Sequence, residues 1–163
     1  MRNKELRNVT LGAMVAALYV LLTVLSNAFG LANGAVQLRL SEMLCVLPAF
    51  FPAAIPGLYL GCMVANFLTS AAIFDVFFGS IATLLGAIGT CLLRRRPILS
   101  LLPPILSNTV IVPIVLVVAY GLPATVPSIL LSALTVCIGE MLSCGSLGFF
   151  LMKVIKKYLI YTK

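Results

Sequence analysis

Apolar runs recur along almost the whole of this chain, and charge interrupts them at only a few places. That pattern constrains the fold more than any other feature. An apolar segment of roughly 20 residues crosses a bilayer as a helix, and in lipid every backbone polar group must find its partner inside the protein. Charged residues make up 9% of the chain and hydrophobic residues 62%, against about 25% charged in an ordinary soluble domain. The expected fold is an all-α integral membrane protein, a single membrane domain over 1–163, multi-pass in a cell membrane.

The positions of the basic residues carry topology. Ten of the eleven fall in three clusters: Arg2, Lys4 and Arg7; Arg94, Arg95 and Arg96; and Lys153, Lys156, Lys157 and Lys163. Each cluster flanks an apolar run, as cytoplasmic anchors do. A net charge of +7 distributed in this way points to headgroups of the lipid bilayer and not to nucleic acid. If all three clusters face the cytoplasm, an even number of crossings separates each consecutive pair. Residues 8–93 have room for about four helices and 97–152 for about two. The sequence therefore predicts six transmembrane helices with both termini cytoplasmic, over approximately 9–26, 38–51, 56–72, 75–93, 98–120 and 126–152.

Local signals refine this. The apolar run at 11–25 has a basic start, as signal peptides do, but it is long enough to be retained as the first helix. Gly and Asn between 27 and 35 suit a turn. The second predicted helix is short, and Pro48, Pro52 and Pro56 imply a sharp reversal at its end. The fifth contains Pro103, Pro104 and Pro113, so a kink or an unwound stretch is expected there. No inverted internal repeat is visible.

Once the flanking clusters and Glu5 are assigned to the cytoplasm, four charged residues remain: Arg39, Glu42, Asp75 and Glu140. Arg39, Glu42 and Asp75 fall at the outer ends of predicted helices, and Glu140 near the middle of the last. Ionisable groups at such depth are costly, and they face a bundle interior or a cavity. Arg39 and Asp75 could form an interhelical ion pair; Glu42, three residues after Arg39, could pair with it locally. Asn66 and Asn108 are buried amides that serve either helix packing or a ligand. Phe74, Phe77 and Phe78 around Asp75 suit an interfacial aromatic belt or a stacking surface for a flat ligand. The excess of carboxylates favours a cationic or donor-rich ligand, and a planar ring with adjacent N–H and amino donors would pair bidentately with one of them.

Other chemistries find little support. The five cysteines show no CxxC spacing and there is no histidine, so neither a metal site nor a cofactor is expected. Without a nucleophile–base pair or a paired acid motif, an intramembrane enzyme is poorly supported. On the first helix Gly12, Ala13, Ala16 and Ala17 form a small-residue face, with Ala13 and Ala17 one turn apart, suited to close packing inside the protein or on another subunit.

Small six-helix proteins with basic cytoplasmic ends and Ala-x-x-x-Ala on the first helix resemble the substrate-binding S components of energy-coupling factor (ECF) transporters. Val36-Gln37-Leu38-Arg39-Leu40-Ser41-Glu42, then Leu47-Pro48, then Asp75-Val76-Phe77-Phe78-Gly79-Ser80, are similar to the queuosine precursor transporter (QueT) family over nearly the whole chain. The resemblance implies a bacterial plasma-membrane protein that takes up 7-deazaguanines such as preQ1, preQ0 or queuine. It also implies an EcfT-like transmembrane coupling subunit and two cytoplasmic ATPase subunits as partners, the S component toppling in the membrane with its substrate while the partners hydrolyse ATP. In keeping with that division, the chain has no phosphate-binding loop of the GxxxxGK[ST] type. The substrate-binding residues so implied are Arg39, Glu42, Asn66, Asp75, Asn108 and Glu140. Glu140 is expected on the guanine-like edge and Glu42 or Asp75 near the 7-substituent, while Ala13 and Ala17 dock the coupling subunit. An S component for another vitamin or a purely structural membrane subunit are the competing readings.

Overall fold

A computed structural model describes residues 2–31, 37–69 and 72–161. Parts of the turn expected at 27–35, the end of the helix expected at 56–72 and Lys163 lie outside these. Every regular element among the described residues is helical. Helix α1 spans Arg2–Ala28, α2 Ala54–Leu68, α3 Ile73–Leu92, α4 Leu102–Tyr120, α5 Val126–Glu140 and α6 Gly148–Tyr161; a 3-10 helix occupies Leu40–Ala49 between α1 and α2. Four stretches are long and apolar enough to cross a membrane: Asn3–Ala28, Ile73–Leu92, Leu99–Tyr120 and Val126–Tyr158.

The segment expected as a second helix over 38–51 is the 3-10 helix Leu40–Ala49. Ten residues at about 2.0 Å each reach about 20 Å. Arg39 is extended before it (φ −106°, ψ 107°) and Pro48 lies inside it. Its first amide, Leu40 N–H, donates to Ser26 Oγ of α1 at 2.9 Å, so the neighbouring helix supplies an acceptor that the start of any helix lacks.

The prolines of the helix expected over 98–120 act differently from expectation at one end. Pro103 and Pro104 stand in the first turn of α4, after a 3-10 turn at Leu99–Leu101, where a missing N–H costs nothing. Pro113 alone lies in the helix interior. Gly121, at φ 67°, ends α4 in the left-handed conformation that favours glycine. Beyond it, α5 runs into α6 through a π-helical turn, Met141–Leu147, so the last helix continues past the expected end at 152.

Close approaches fix how the helices run. A Cβ on Gly57 of α2 would collide with the backbone of Gly12 of α1, and one on Gly61 would lie 3.0 Å from Ala16. Both numbers rise together, so α1 and α2 are parallel and the 3-10 segment between them runs back. Cys62 meets Thr83 while Asn66 meets Asp75, which makes α2 and α3 antiparallel. Gly86 and Gly89 of α3 face Pro104 and Pro103, so α3 and α4 are antiparallel too. Gly139 seats the backbone of Gln37, and Gly148 the side chain of Val46, so the last helix runs alongside the 3-10 segment. Successive elements thus alternate in direction, and the chain start, the Arg94-Arg95-Arg96 turn and the α6 end gather at one end of the bundle.

Candidate binding site at the polar centre of the bundle

The 3-10 segment places Glu42 in the interior, where only 1% of its surface is exposed. Three donors converge on that carboxylate. Tyr19 of α1 donates its hydroxyl to Oε1. Cys45, three residues on, donates Sγ–H to Oε2 at 3.1 Å, and Asn108 of α4 offers Nδ2 to the same oxygen at 3.5 Å. Asn108 Nδ2 also donates to Glu140 Oε1 at 2.8 Å. One amide therefore joins the two acids across three elements. Glu140 is 7% exposed, and its second oxygen, Oε2, is buried with no partner.

A second network adjoins the first. Arg39 Nη2 lies 3.5 Å from Asp75 Oδ2, and Nη1 donates to Asn66 Oδ1 at 3.4 Å. Asn66 in turn donates Nδ2 to the backbone carbonyl of Asp75 at 3.2 Å. Of the two pairings open to Arg39, the structure forms the one with Asp75; Glu42 takes donors from Tyr19, Cys45 and Asn108 instead. The other oxygen of Asp75, Oδ1, is buried and unpartnered, lying over Gly79, where a Cβ would come within 2.7 Å of it.

The two networks meet at a small cavity lined by Gln37, Arg39, Glu42, Asn108, Val112, Val136 and Glu140. Its volume of about 10 Å³ is roughly that of one water probe. The polar centre is narrow, with the Arg39 side chain 22% exposed and Glu42 only 1%. Arg39, Glu42, Asn108 and Glu140 line it; Asn66 and Asp75 support it from behind through Arg39. Phe74, Phe77 and Phe78 point outward, each about half exposed, with Phe74 and Phe78 stacked at 6.4 Å between centroids. They face the surroundings and not the site.

Two contributors escape the sequence reading, Tyr19 and Cys45. The signal for Tyr19 is a spacing of four or three: Val15, Tyr19, Thr23 and Ser26 are all buried on α1, a stripe whose tips turn polar toward the C-terminal half of the helix. Thr23 Oγ1 donates to Ser41 Oγ at 2.8 Å, tying α1 to the start of the 3-10 helix beside Glu42. The small face of α1 divides. Gly12 and Ala16 turn inward against Gly57 and Gly61, whereas Ala13 and Ala17 are exposed.

Comparison with known proteins gives these features a family. The family model described as QueT transporter matches residues 9–157. A curated relative, the queuosine precursor transporter QueT of Lactococcus lactis subsp. cremoris, is 36% identical over 84 residues, covering 52% of this chain and 49% of that protein. The alignment thus spans about half the length of the relative. No solved structure matches the chain. A multi-pass membrane protein with the family match extending over nearly its whole length, the chain belongs to the QueT transporter family.

Proposed function

We propose that the chain is the substrate-binding S component of an ECF-type importer for queuosine precursors, binding 7-deazaguanines such as preQ1, preQ0 or queuine. The observation that carries this is Glu140 Oε2, a buried acceptor without a partner in a cavity that Arg39, Glu42 and Asn108 also line. The N1–H and 2-amino edge of a 7-deazaguanine supplies two donors side by side for such a carboxylate. Arg39 holds Asp75 and Asn66 in place and can turn a guanidinium N–H toward a ring carbonyl. A bicyclic base needs far more than the present cavity, so its arrival separates the side chains around Glu140.

In this reading the chain makes six crossings in one membrane domain, the 3-10 segment and α2 being the two short ones, with both termini and the Arg94-Arg95-Arg96 turn cytoplasmic by the positive-inside rule; the alternation of helix directions supports it. Ala13 and Ala17, exposed on α1, form a small surface for an EcfT-like coupling subunit, and two partner ATPases drive release. Transport, not catalysis, is the role of this chain.

Calorimetric titration of purified protein with preQ1, preQ0, queuine and guanine, beside a panel of vitamins, tests the reading. Binding of a 7-deazaguanine, weakened at least about tenfold in Glu140→Gln for the loss of a charge-assisted bond, is expected. Binding of a vitamin and of no deazaguanine overturns it. Cysteine-labelling from each side of the membrane at residues 30 and 95 checks the topology, with residue 95 reachable from the cytoplasm only.

A further inference from the structure

A groove lies away from the polar centre, at the end of the bundle where the chain start and the basic clusters gather. It runs between α1 and the end of the 3-10 segment and has a volume of about 560 Å³, within the range of about 300–1,000 Å³ common for small-molecule sites. Its polarity is sorted along its length. Asn3 and Arg7 line it toward the start of α1, and both are exposed. Thr10 follows, but its hydroxyl already donates to Leu6 O at 2.9 Å. Deeper, Leu11, Met14 and Leu18 of α1 form one wall, and Leu47 and Phe51 form the other. The eleven residues from Arg7 to Leu18 span about 16 Å of helix, and one leaflet's share of the hydrocarbon slab is about 15 Å.

The charge at the polar end is uncompensated. Among the described residues no acid pairs with Arg7. Glu5, the acid of α1, stands two positions before Arg7 and so on another face of the helix. Lys4, three positions before Arg7 and also exposed, sets a second positive charge beside it. We infer that the groove is a binding site for an anionic phospholipid of the leaflet on that side. The phosphodiester seats on the Arg7 guanidinium with the Asn3 amide beside it, and one acyl chain lies along Leu11, Met14 and Leu18 against Leu47 and Phe51. A guanidinium matches phosphate oxygens with two parallel N–H bonds, and the apolar walls exclude water from the chain below. A zwitterionic headgroup carries its own cation, which Lys4 and Arg7 repel, so the site selects net negative charge. Ala13 and Ala17 do not line the groove; it is separate from the surface offered to the coupling subunit and does not depend on the substrate.

The test begins with lipid competition on the wild-type full chain, which needs no variant to fold. Purified protein is equilibrated in micelles holding phosphatidylglycerol and phosphatidylcholine with the same acyl chains, and the lipids it retains are weighed by native mass spectrometry. One phosphatidylglycerol per chain is expected, preferred at least about fivefold, the effect of a single basic residue near an anionic membrane surface. Arg7→Gln should bring the two lipids within about twofold. Arg95→Gln removes the same charge from an exposed position at the same end of the bundle but outside the groove, and should leave the preference intact. Equal retention of the two lipids in the wild type overturns the site, and so do equal losses in the two variants, which would mean diffuse attraction. Displacement of the lipid by glycerol phosphate also overturns it, because the acyl groove would then play no part. A mass of two chains without lipid gives the groove to a second copy. Loss of the assembled transporter in Arg7→Gln with the lipid preference unchanged gives it to a protein partner. Either result refutes the lipid site.

Discussion

Tyr19→Phe isolates one bond at the centre of the site. Phenylalanine keeps the ring, so the 1% exposed packing position of Tyr19 is refilled without a cavity, and only the hydroxyl is lost. That hydroxyl donates to Glu42 Oε1 in a region where Glu42 is also 1% exposed, so no water replaces it. A hydrogen bond to a charged group contributes about 1.5–3 kcal/mol, and leaving the carboxylate oxygen without a donor places the cost in the upper half of that range. Cys45 and Asn108 serve only Oε2, so neither compensates. Equilibrium unfolding in mixed detergent micelles measures the loss. A double-mutant cycle with Glu42→Gln then tests its origin: residues sharing one bond couple by about 0.5–3 kcal/mol, and the second substitution should cost less in the presence of the first. A loss under about 0.5 kcal/mol in Tyr19→Phe, or strict additivity with Glu42→Gln, would refute the clamp.

Other substitutions probe the frame. Gly57→Ala forces a Cβ into the backbone of Gly12, which cannot yield as a side chain would; a loss of about 1–3 kcal/mol in the same unfolding assay is expected, with Gly30→Ala as a control for an open position where only backbone strain acts. Asp75→Asn removes the counter-charge of Arg39, whose side chain is 22% exposed; that residual contact with solvent places the cost near the lower end of the 2–5 kcal/mol seen for broken buried pairs, at about 2 kcal/mol, and Arg39→Gln in the same chain should recover part of it. Replacing Ala13 and Ala17 together with leucine should leave ligand affinity within about twofold while abolishing uptake in cells that carry the coupling subunits. Lost affinity in that variant would assign the two alanines to the internal packing of α1 instead.

The all-helical membrane fold was legible because apolar length and sparse charge leave few alternatives in lipid. Arg39, Glu42, Asn66, Asp75, Asn108 and Glu140 stood out for the same reason, since each is a polar group where such groups are costly, and the structure brings them into two adjoining networks. Tyr19 and Cys45 did not stand out. A tyrosine or a cysteine in an apolar run reads as ordinary packing, and only the course of the 3-10 segment reveals that both meet Glu42. The 3-10 geometry was itself hidden: Pro48 and Pro52 signal the end of the segment, but the acceptor that stabilises its start is Ser26, fourteen residues earlier on α1. The π-helical turn after Glu140 was illegible too, since its i-to-i+5 bonding, seen in Gly148 N–H donating to Ser143 O, uses residues that suit an α-helix equally well.

The unequal helix lengths bear on the membrane as much as on the protein. The 15 residues of α2 reach about 22 Å and the 3-10 segment about 20 Å, while the 33 residues of Val126–Tyr158 reach about 50 Å. A hydrocarbon slab is about 30 Å thick. In the proposed six-crossing arrangement, lipid beside α2 has to thin, and the long helix has to lean or project, each at a fraction of a kcal/mol per ångström of mismatch. The protein therefore carries an elastic gradient around its circumference, and acyl-chain length becomes a variable that sets its resting angle. Reconstituted into bilayers of increasing thickness, the protein should show its long final helix turning closer to the membrane normal, with the thinned rim beside α2 absorbing a growing share of the strain.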